Sequence, residues 1–380
     1  MFFAKKNTKE VKKTYSKSYV LNSNTKASWS DPSYSSLAYN GYASNVVANR
    51  CIKLISQCVS SIRTVIYGSD GAEMTGAQIN DLIAKPNDLM SQKLFFETIV
   101  KNLLIFGNSY IKSDLGDNQI DALHVLPSDL VSIVVDSENN VMQYAYNNGQ
   151  KTEILDASMI GEVGEVLHIK LFNPNDKLYG LSPLYTARFS IDQYNEAIAW
   201  NKCLLQNGAR PSGALVVEAN GNDLTDEQFS RLSDQLRNDF TGSLAAGKVM
   251  ILEGGLKWQE MSISPKDMEF IETKNSAARD IALAFGVPSN LLGIQGDNTY
   301  NNFAESRIAL WEETILPLAE LIFEAIATHI TAKTGEKITI LADLDQIPTL
   351  VEKRYTLWKA LSEATFLTDA EKRTMAQMDA

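Results

Sequence analysis

Residues 285–317 read FGVPSNLLGIQGDNTYNNFAESRIALWEETILP, and no other stretch constrains the fold as tightly. An apolar helix is cut at Gly286 and Pro288. Glycine takes the left-handed backbone that ends a helix, and proline cannot continue the hydrogen-bond ladder. From Gly293 to Asn302 there is little to bury: Gly, Gln, Asp, Asn and Thr surround Tyr300. A long helix follows, capped by Asn301 or Asn302, with apolar positions Phe303, Ile308, Leu310 and Ile315 leading to Pro317. A polar loop held between two helices is built to present its tip.

A chain of 380 residues can bury substantial cores and is expected to hold two or three packed units. No apolar run at the N-terminus is long enough for a signal-peptide core, and nothing elsewhere reads as a membrane span. Three cysteines do not make a disulfide scaffold. Cys51 and Cys58 fall on one face of an expected helix and read as small core residues, in keeping with a reducing cytoplasm.

Charge is unevenly spread. Residues 1–27 contain seven lysines (5, 6, 9, 12, 13, 17 and 26) and one acid, Glu10, so this arm carries +6 of a chain total of −11. The remainder is therefore near −17, which argues against a body that grips nucleic acid by neutralising phosphates. The arm (1–40) lacks periodicity and reads as a flexible basic tail; a sharper reading is a contact to nucleic acid or an acidic partner.

The rest divides by pattern. Val46, Val47, Ile52, Ile55, Val59 and Ile62 mark an amphipathic helix. "TVIYGSDGAE" reads as strand and turn, and "SQKLFFETIVKNLLIFGNSYIK" as a helix ending near Gly107, then a strand. Residues 121–150 alternate as antiparallel strands, and "EVLHIKLF" adds another. The first 180 residues are thus α+β, not a βαβ array. Ser182 and Pro183 open a helix expected to reach about Asn207, some ~25 residues and nearly ~40 Å. A small α/β region follows, with strands at Ala214–Glu218 and Val249–Glu253. Ser264-Pro265 starts a second long helix. Beyond the polar loop, one helix runs from Asn302 to about Lys333 with a kink at Pro317. "KITILADL" reads as a strand. Two terminal helices follow, the second with a capping box of Thr368 and Glu371.

Motifs for chemistry are weak. Gly242-Ser-Leu-Ala-Ala-Gly247-Lys248-Val249 approaches a phosphate-binding loop, but Val249 stands where Ser or Thr must hold magnesium. A helix precedes and a strand follows, the reverse of what phosphate binding needs. His124, His168 and His329 lack metal-ligand spacing and read as structural. Glu312 and Glu313 are adjacent on a helix and diverge. The acids Glu305, Glu312, Glu313, Glu320 and Glu324 read either as a solvated face or as a wall that keeps a polyanion mobile. No catalytic residue, metal site or cofactor is expected.

Five segments also resemble a known family in its own order: "GNSYI" at 107–111, "YGLSPL" at 179–184, "NGARPSGAL" at 207–215, "VMILEGGLKW" at 249–258, and "FGVPSNLLG…TYNN…WEETILP". Together they resemble the portal proteins of tailed bacteriophages, in the Hong Kong 97-like branch. The resemblance implies an α+β, portal-type subunit with wing, two long stem helices, small α/β clip insertion and helical crown. On it, 41–181 is the first part of the wing, 182–209 and 264–287 the stem helices, 210–263 the clip, 288–302 the tunnel loop, 303–348 the rest of the wing and 349–380 the crown.

The resemblance further implies a ring, usually of twelve subunits, at one capsid vertex of a virion assembled in the host cytoplasm. Double-stranded DNA passes through its axis without sequence reading. Its partners are the terminase large subunit, a head–tail connector or adaptor, and the major capsid protein; no membrane is involved. Gln295, Asp297, Asn298, Thr299 and Tyr300 are the expected DNA-facing loop residues. Two readings from other classes stand beside it. A metal-dependent nucleic-acid-processing enzyme would show metal-dependent nuclease activity. A scaffold or adaptor without a channel would show no axial hole by electron microscopy.

Overall fold

The computed structural model describes residues 36–76, 78–116, 119–136, 141–157, 164–206, 213–217, 227, 256–260, 270–294 and 300–376. The strands at 249–253, the Ser264-Pro265 start and the 242–249 motif lie outside these residues, as does the N-terminal arm up to residue 35.

Three helices contribute most of the main core, which residues such as Leu184, Ile191 and Ile281 of later helices complete. Helix α1 (Val46–Ser60) starts at Asn45, whose side chain accepts from the backbone N–H groups of Val47 and Ala48, satisfying donors that have no partner inside the helix. It buries Ala48, Cys51, Ile52, Ile55 and Val59. After the short α2 (Gln78–Ala84) comes α3 (Gln92–Phe106), which ends as expected on Gly107, at φ 77°. The third core helix is the long C-terminal one, which buries Ile315, Ala319, Ile322, Phe323, Ile326 and Ile330. Phe96 of α3 meets its Phe323 edge-on, with ring centroids 5.3 Å apart, a favoured aromatic geometry.

Strand β1 (Thr64–Tyr67) pairs antiparallel with β10 (Thr339–Ala342), joining the two ends of this core. Strands β2 (Asn108–Leu115), β3 (Ile120–Leu126) and β7 (Val166–Lys170) form an antiparallel sheet in the order β3-β2-β7. A second sheet, β4-β5-β6, comprises Val131–Val135, Val141–Asn147 and Thr152–Asp156. Strand β2 is buried on both faces from Asn108 to Ile111 because it separates two cores. Ile111 belongs to the main helical one, while Tyr110 belongs to a smaller one with Leu126, Val131, Tyr144, Leu155 and Val166. Such double burial removes the usual alternation from a strand.

The helix expected from Ser182 is interrupted. Ser182 caps it through its Oγ, 3.0 Å from Tyr185 N, with Pro183 in the first turn. The chain then forms α4 (Pro183–Thr186), a turn at Ala187, and α5 (Arg188–Gln206). Arg188 supplies the cause. Its guanidinium donates to the Tyr185 carbonyl at 2.9 Å and lies over the Tyr185 and Phe189 rings at 4.1 and 4.2 Å. That carbonyl would otherwise accept the N–H four residues on. Helix α5 packs against α6 (Phe270–Ala284), and Ile191, Tyr194 and Ala197 are buried, as are Ala277, Ala278 and Ile281. The small Ala side chains permit close helix approach. Strands β8 (Gly213–Val217) and β9 (Leu256–Glu260) pair antiparallel; the second was not expected as a strand.

Helix α7 (Tyr300–Leu310) continues through a wide π turn, Trp311–Ile315, into α8 (Leu316–Thr334). The break expected at Pro317 therefore falls just before it. A proline inside an α-helix lacks a donor and collides with the preceding turn; the wider turn, in which Leu316 N–H reaches back to Trp311 O, takes up that mismatch. Contrary to the expectation that nothing reads as a membrane span, Asn302–Thr334 is long and apolar enough to cross one by length and composition. Its apolar face lies in the main core, so core packing accounts for that composition. The terminal helices are α9 (Val351–Glu363) and α10 (Asp369–Met375). Thr368 and Glu371 form the expected capping box, the Thr368 N–H donating to Glu371 Oε2 at 2.8 Å and the Glu371 N–H to Thr368 Oγ1 at 3.3 Å. The Thr368 N–H and the Thr368 hydroxyl, which donates to the same Oε2 at 2.7 Å, hold the Glu371 carboxyl below its usual pKa.

Candidate DNA-channel site

Gln295, Asp297, Asn298 and Thr299 lie outside the described residues. Tyr300 is the first residue of α7, so the helix opens one to two residues before the Asn301 or Asn302 cap expected from the sequence. What the structure defines is the frame on which this segment is mounted.

At the entry side, α6 ends with Phe285 buried and Gly286 at φ 66°. Val287 N–H returns to Ala282 O at 2.9 Å, closing the helix end. Thr314, in the π turn of the facing helix, donates its hydroxyl to Gly286 O at 2.8 Å. A 3-10 turn, Ser289–Leu292, follows Pro288 and ends on Gly293, at φ 72°. Ile294 is then buried in the main core, fixing the last residue before the segment.

The exit side is tied to the entry side. Asn290 Nδ2 donates to Ser306 Oγ at 2.6 Å and lies 3.4 Å from Asn302 O, while Ser306 Oγ donates to the same carbonyl at 2.7 Å. The residues on either side of 295–299 are thus braced against each other. Asn290, Ser306 and Thr314 had no role in the sequence reading. The available signal was their position: polar residues at the ends of otherwise apolar helices, flanking a loop.

Along α7 and α8, Glu305, Glu313, Glu320 and Glu324 are exposed. Glu312 is exposed too, but forms an ion pair with Lys353 of α9, so it is not a free acid of that face. Each of the three histidines lies within hydrogen-bond distance of a neighbouring side chain. His329 is buried with Nε2 3.1 Å from Ser113 Oγ, and burial pushes its pKa down to about 4. His168 stacks on Tyr110 at 4.4 Å and is depressed to about 3, also by burial. His124 pairs with Asp114 at the surface. Among the described residues no group of three or more His, Cys, Asp or Glu side chains is placed to hold a metal ion.

The fold is that of a subunit from the neck of a phage-like particle. A chain in the neck of an empty gene transfer agent (GTA) particle is 36% identical, with a TM-score of 0.71 over 92% of this chain and 95% of that one. A chain in the neck of a native GTA particle, computed with twelve-fold symmetry, is 38% identical with a TM-score of 0.69, over 92% and 94%. A protein from Rickettsia bellii is 44% identical over 335 residues, 88% of this chain and 86% of its own length. A sequence model of the phage portal protein family matches residues 46–376. The chain belongs to that family. Its function is that of a portal protein, the channel for DNA at a capsid vertex.

Proposed function

We propose that twelve copies of this chain close head to tail around an axial bore, a heterologous contact that rotation brings back on itself. The twelve-fold symmetry of the related GTA neck supports the number. Segment 295–299 points into the bore, with Gln295, Asp297, Asn298, Thr299 and Tyr300 meeting the duplex sterically and by polar contact. The observation that carries this reading is the brace: both ends of the segment are fixed by Ile294, Asn290, Ser306 and Thr314. Its middle offers small and polar side chains without a cation. Fixed cations would form phosphate contacts and hold the duplex in place; polar tips and an acidic face let it slide.

In this arrangement 182–209 and 264–287 are the stem and 41–181 with 303–348 the wing, set against the major capsid protein. Residues 349–380 are the crown inside the capsid, and 210–263 the clip. The clip receives the terminase large subunit during packaging and the head–tail connector afterwards, on rings assembled in the host cytoplasm. ATP is hydrolysed by that separate motor, so purified protein is expected to show no hydrolysis that Lys248→Ala removes.

Electron microscopy of the purified protein tests the ring: annuli with an axial hole are expected, and particles without one would overturn the reading. Lengthening the segment at Gly296 tests the loop. Rings should form normally while DNA passage falls; undiminished packaging would take the segment out of the channel.

A further inference from the structure

We propose that Asn148 is a site of self-modification, where the backbone nitrogen of Gly149 displaces the Asn148 side-chain amide at the tip of the β5–β6 hairpin. The pair Asn147↔Thr152 closes that hairpin, and Asn147, Asn148, Gly149, Gln150 and Lys151 are all exposed to water. Closing the five-membered ring needs an electrophilic carbon, a nitrogen that can approach it, and an acceptor for the nitrogen's proton. The loop supplies all three.

The electrophile is Asn148 Cγ. Its Oδ1 accepts the backbone N–H groups of Gln150 at 3.1 Å and Lys151 at 3.0 Å. These bonds fold the side chain back along its own main chain. They also draw electron density from Cγ and hold the charge that builds on Oδ1 during attack. The nucleophile is unshielded: Gly149 has no side chain, stands at φ 85° and has nothing within 4 Å of where a Cβ would lie. Its N–H donates to Asn147 Oδ1 at 3.0 Å, which loosens the proton that must leave. The Gly149 nitrogen then bonds to Cγ, its proton passes through water to Nδ2, and the Cγ–Nδ2 bond breaks to release ammonia and leave a cyclic imide. Water opens the imide in one of two ways. Addition at Cγ leaves aspartate; addition at the main-chain carbonyl leaves isoaspartate, with one extra methylene in the backbone. Either product places a new negative charge on the hairpin tip.

The same dipeptide elsewhere is protected. Asn40-Gly41 lies inside the π-helical segment Leu37–Ala43, where the helical backbone turns the Gly41 N–H along the axis and the Asn40 side chain outward. Gly41 is buried against Leu184, which is 3.0 Å from the position of a Cβ. The Asn40 carbonyl accepts Asn195 Nδ2 and its carboxamide donates to Ser36 Oγ, both at 3.1 Å. The fold therefore gives one sequence motif two different reactivities.

The test is to incubate the full-length protein, digest it, and separate amide, aspartate and isoaspartate peptides by chromatography and mass spectrometry. A synthetic peptide spanning 141–156 is the comparison, since a lone hairpin is marginally stable in water. Asn148 should convert roughly tenfold or more faster than Asn40, and no slower in the protein than in the peptide. Its rate should rise with pH, because the nitrogen attacks after losing its proton, and isoaspartate should be among the products. Gly149→Ala should slow conversion roughly tenfold by crowding the nitrogen, and Asn147→Ala, which leaves the Gly149 backbone unstrained, should slow it several-fold. Slower conversion in the protein than in the peptide would overturn the proposal. So would equal rates at Asn40 and Asn148, an Asn147→Ala variant as fast as the native chain, or aspartate formed without isoaspartate, which would mean direct hydrolysis.

Discussion

Asn108 Oδ1 accepts the backbone N–H of Gly180 at 2.7 Å, joining two segments 72 residues apart in sequence. The same oxygen is 3.0 Å from His168 Nε2, which must therefore be the protonated ring nitrogen. Asn108 is fully buried, its Nδ2 donating to Phe106 O and its carbonyl accepting from Ser128 Oγ. One amide thus ties the end of α3, the start of β2, strand β7 and the approach to α4. The segments "GNSYI" and "YGLSPL" are two halves of this one junction.

Gly180→Ala should be among the most destabilising single substitutions in the chain. A Cβ there would lie 2.1 Å from Gly107 O and 2.8 Å from Leu171 N, and backbone atoms on both sides cannot rotate away. Gly107 O also accepts Leu171 N–H at 2.9 Å, so moving it breaks a strand contact. A loss of about 3 kcal/mol or more should lower the thermal midpoint by roughly 5–10 °C. A shift of about a degree would mean the junction relaxes more freely than its geometry allows.

These residues show how much was legible from sequence alone. Helix starts at Ser182 and Thr368 and stops at Gly107 and Gly286 rest on local chemistry, and each was readable. The break at Ala187 was not, because it depends on a guanidinium competing for a carbonyl, and Arg188 looks like any surface arginine. The π turn before Pro317 registered only as a kink. Residues Asn290 and Thr314 of the brace escaped for a different reason: their partners lie 16 and 28 residues away, and no periodicity links them. The candidate segment itself was found through its composition, since a polar stretch between apolar helices has nothing to bury.

Gly286→Ala should cost less than Gly180→Ala and act locally. The left-handed φ of 66° penalises a Cβ by about 1–2 kcal/mol, and the obstructing atom is the hydroxyl of Thr314, a side chain that can turn. The expected total is about 1–3 kcal/mol. Thermal unfolding should show a modest drop in midpoint, and hydrogen exchange should quicken at 286–294 with α1 and α3 unchanged. Global quickening would indicate that this end of α6 supports the whole core.

Acid should destabilise the protein through His168 and His329. Their folded-state pKa values lie below the ordinary 6.5, at about 3 and about 4, each mainly because burial disfavours the imidazolium. Below pH 6.5 the unfolded chain takes up protons that the folded chain refuses. The contribution is therefore complete above 6.5 and is lost as pH falls, down to about 4 for His329 and about 3 for His168. Each group contributes a slope of ~1.4 kcal/mol per pH unit inside its window. His329→Gln preserves a polar partner for Ser113 and does not titrate. Its unfolding midpoint should depend less steeply on pH between 6 and 4 than that of the native chain; equal slopes would place the acid sensitivity elsewhere.

The thiols of α1 should be chemically silent while the fold is intact. Burial pushes the Cys51 pKa up to about 12, against a smaller opposing pull from Arg50, and also raises that of Cys58. At neutral pH the thiolate fraction of Cys51 is then on the order of 10⁻⁵, and the thiolate is the reactive form. Cys51 is also inaccessible, at 0% exposure, so a reagent must wait for α1 to leave the core. Alkylation followed by peptide mass spectrometry should label Cys51 far more slowly than in denaturant, and no faster than global unfolding permits. Cys58, half-buried at the edge of the same core, should label sooner. Rapid native labelling of Cys51 would mean that α1 opens locally, and the helix anchoring β1 and the main core would then have to be counted among the moving parts.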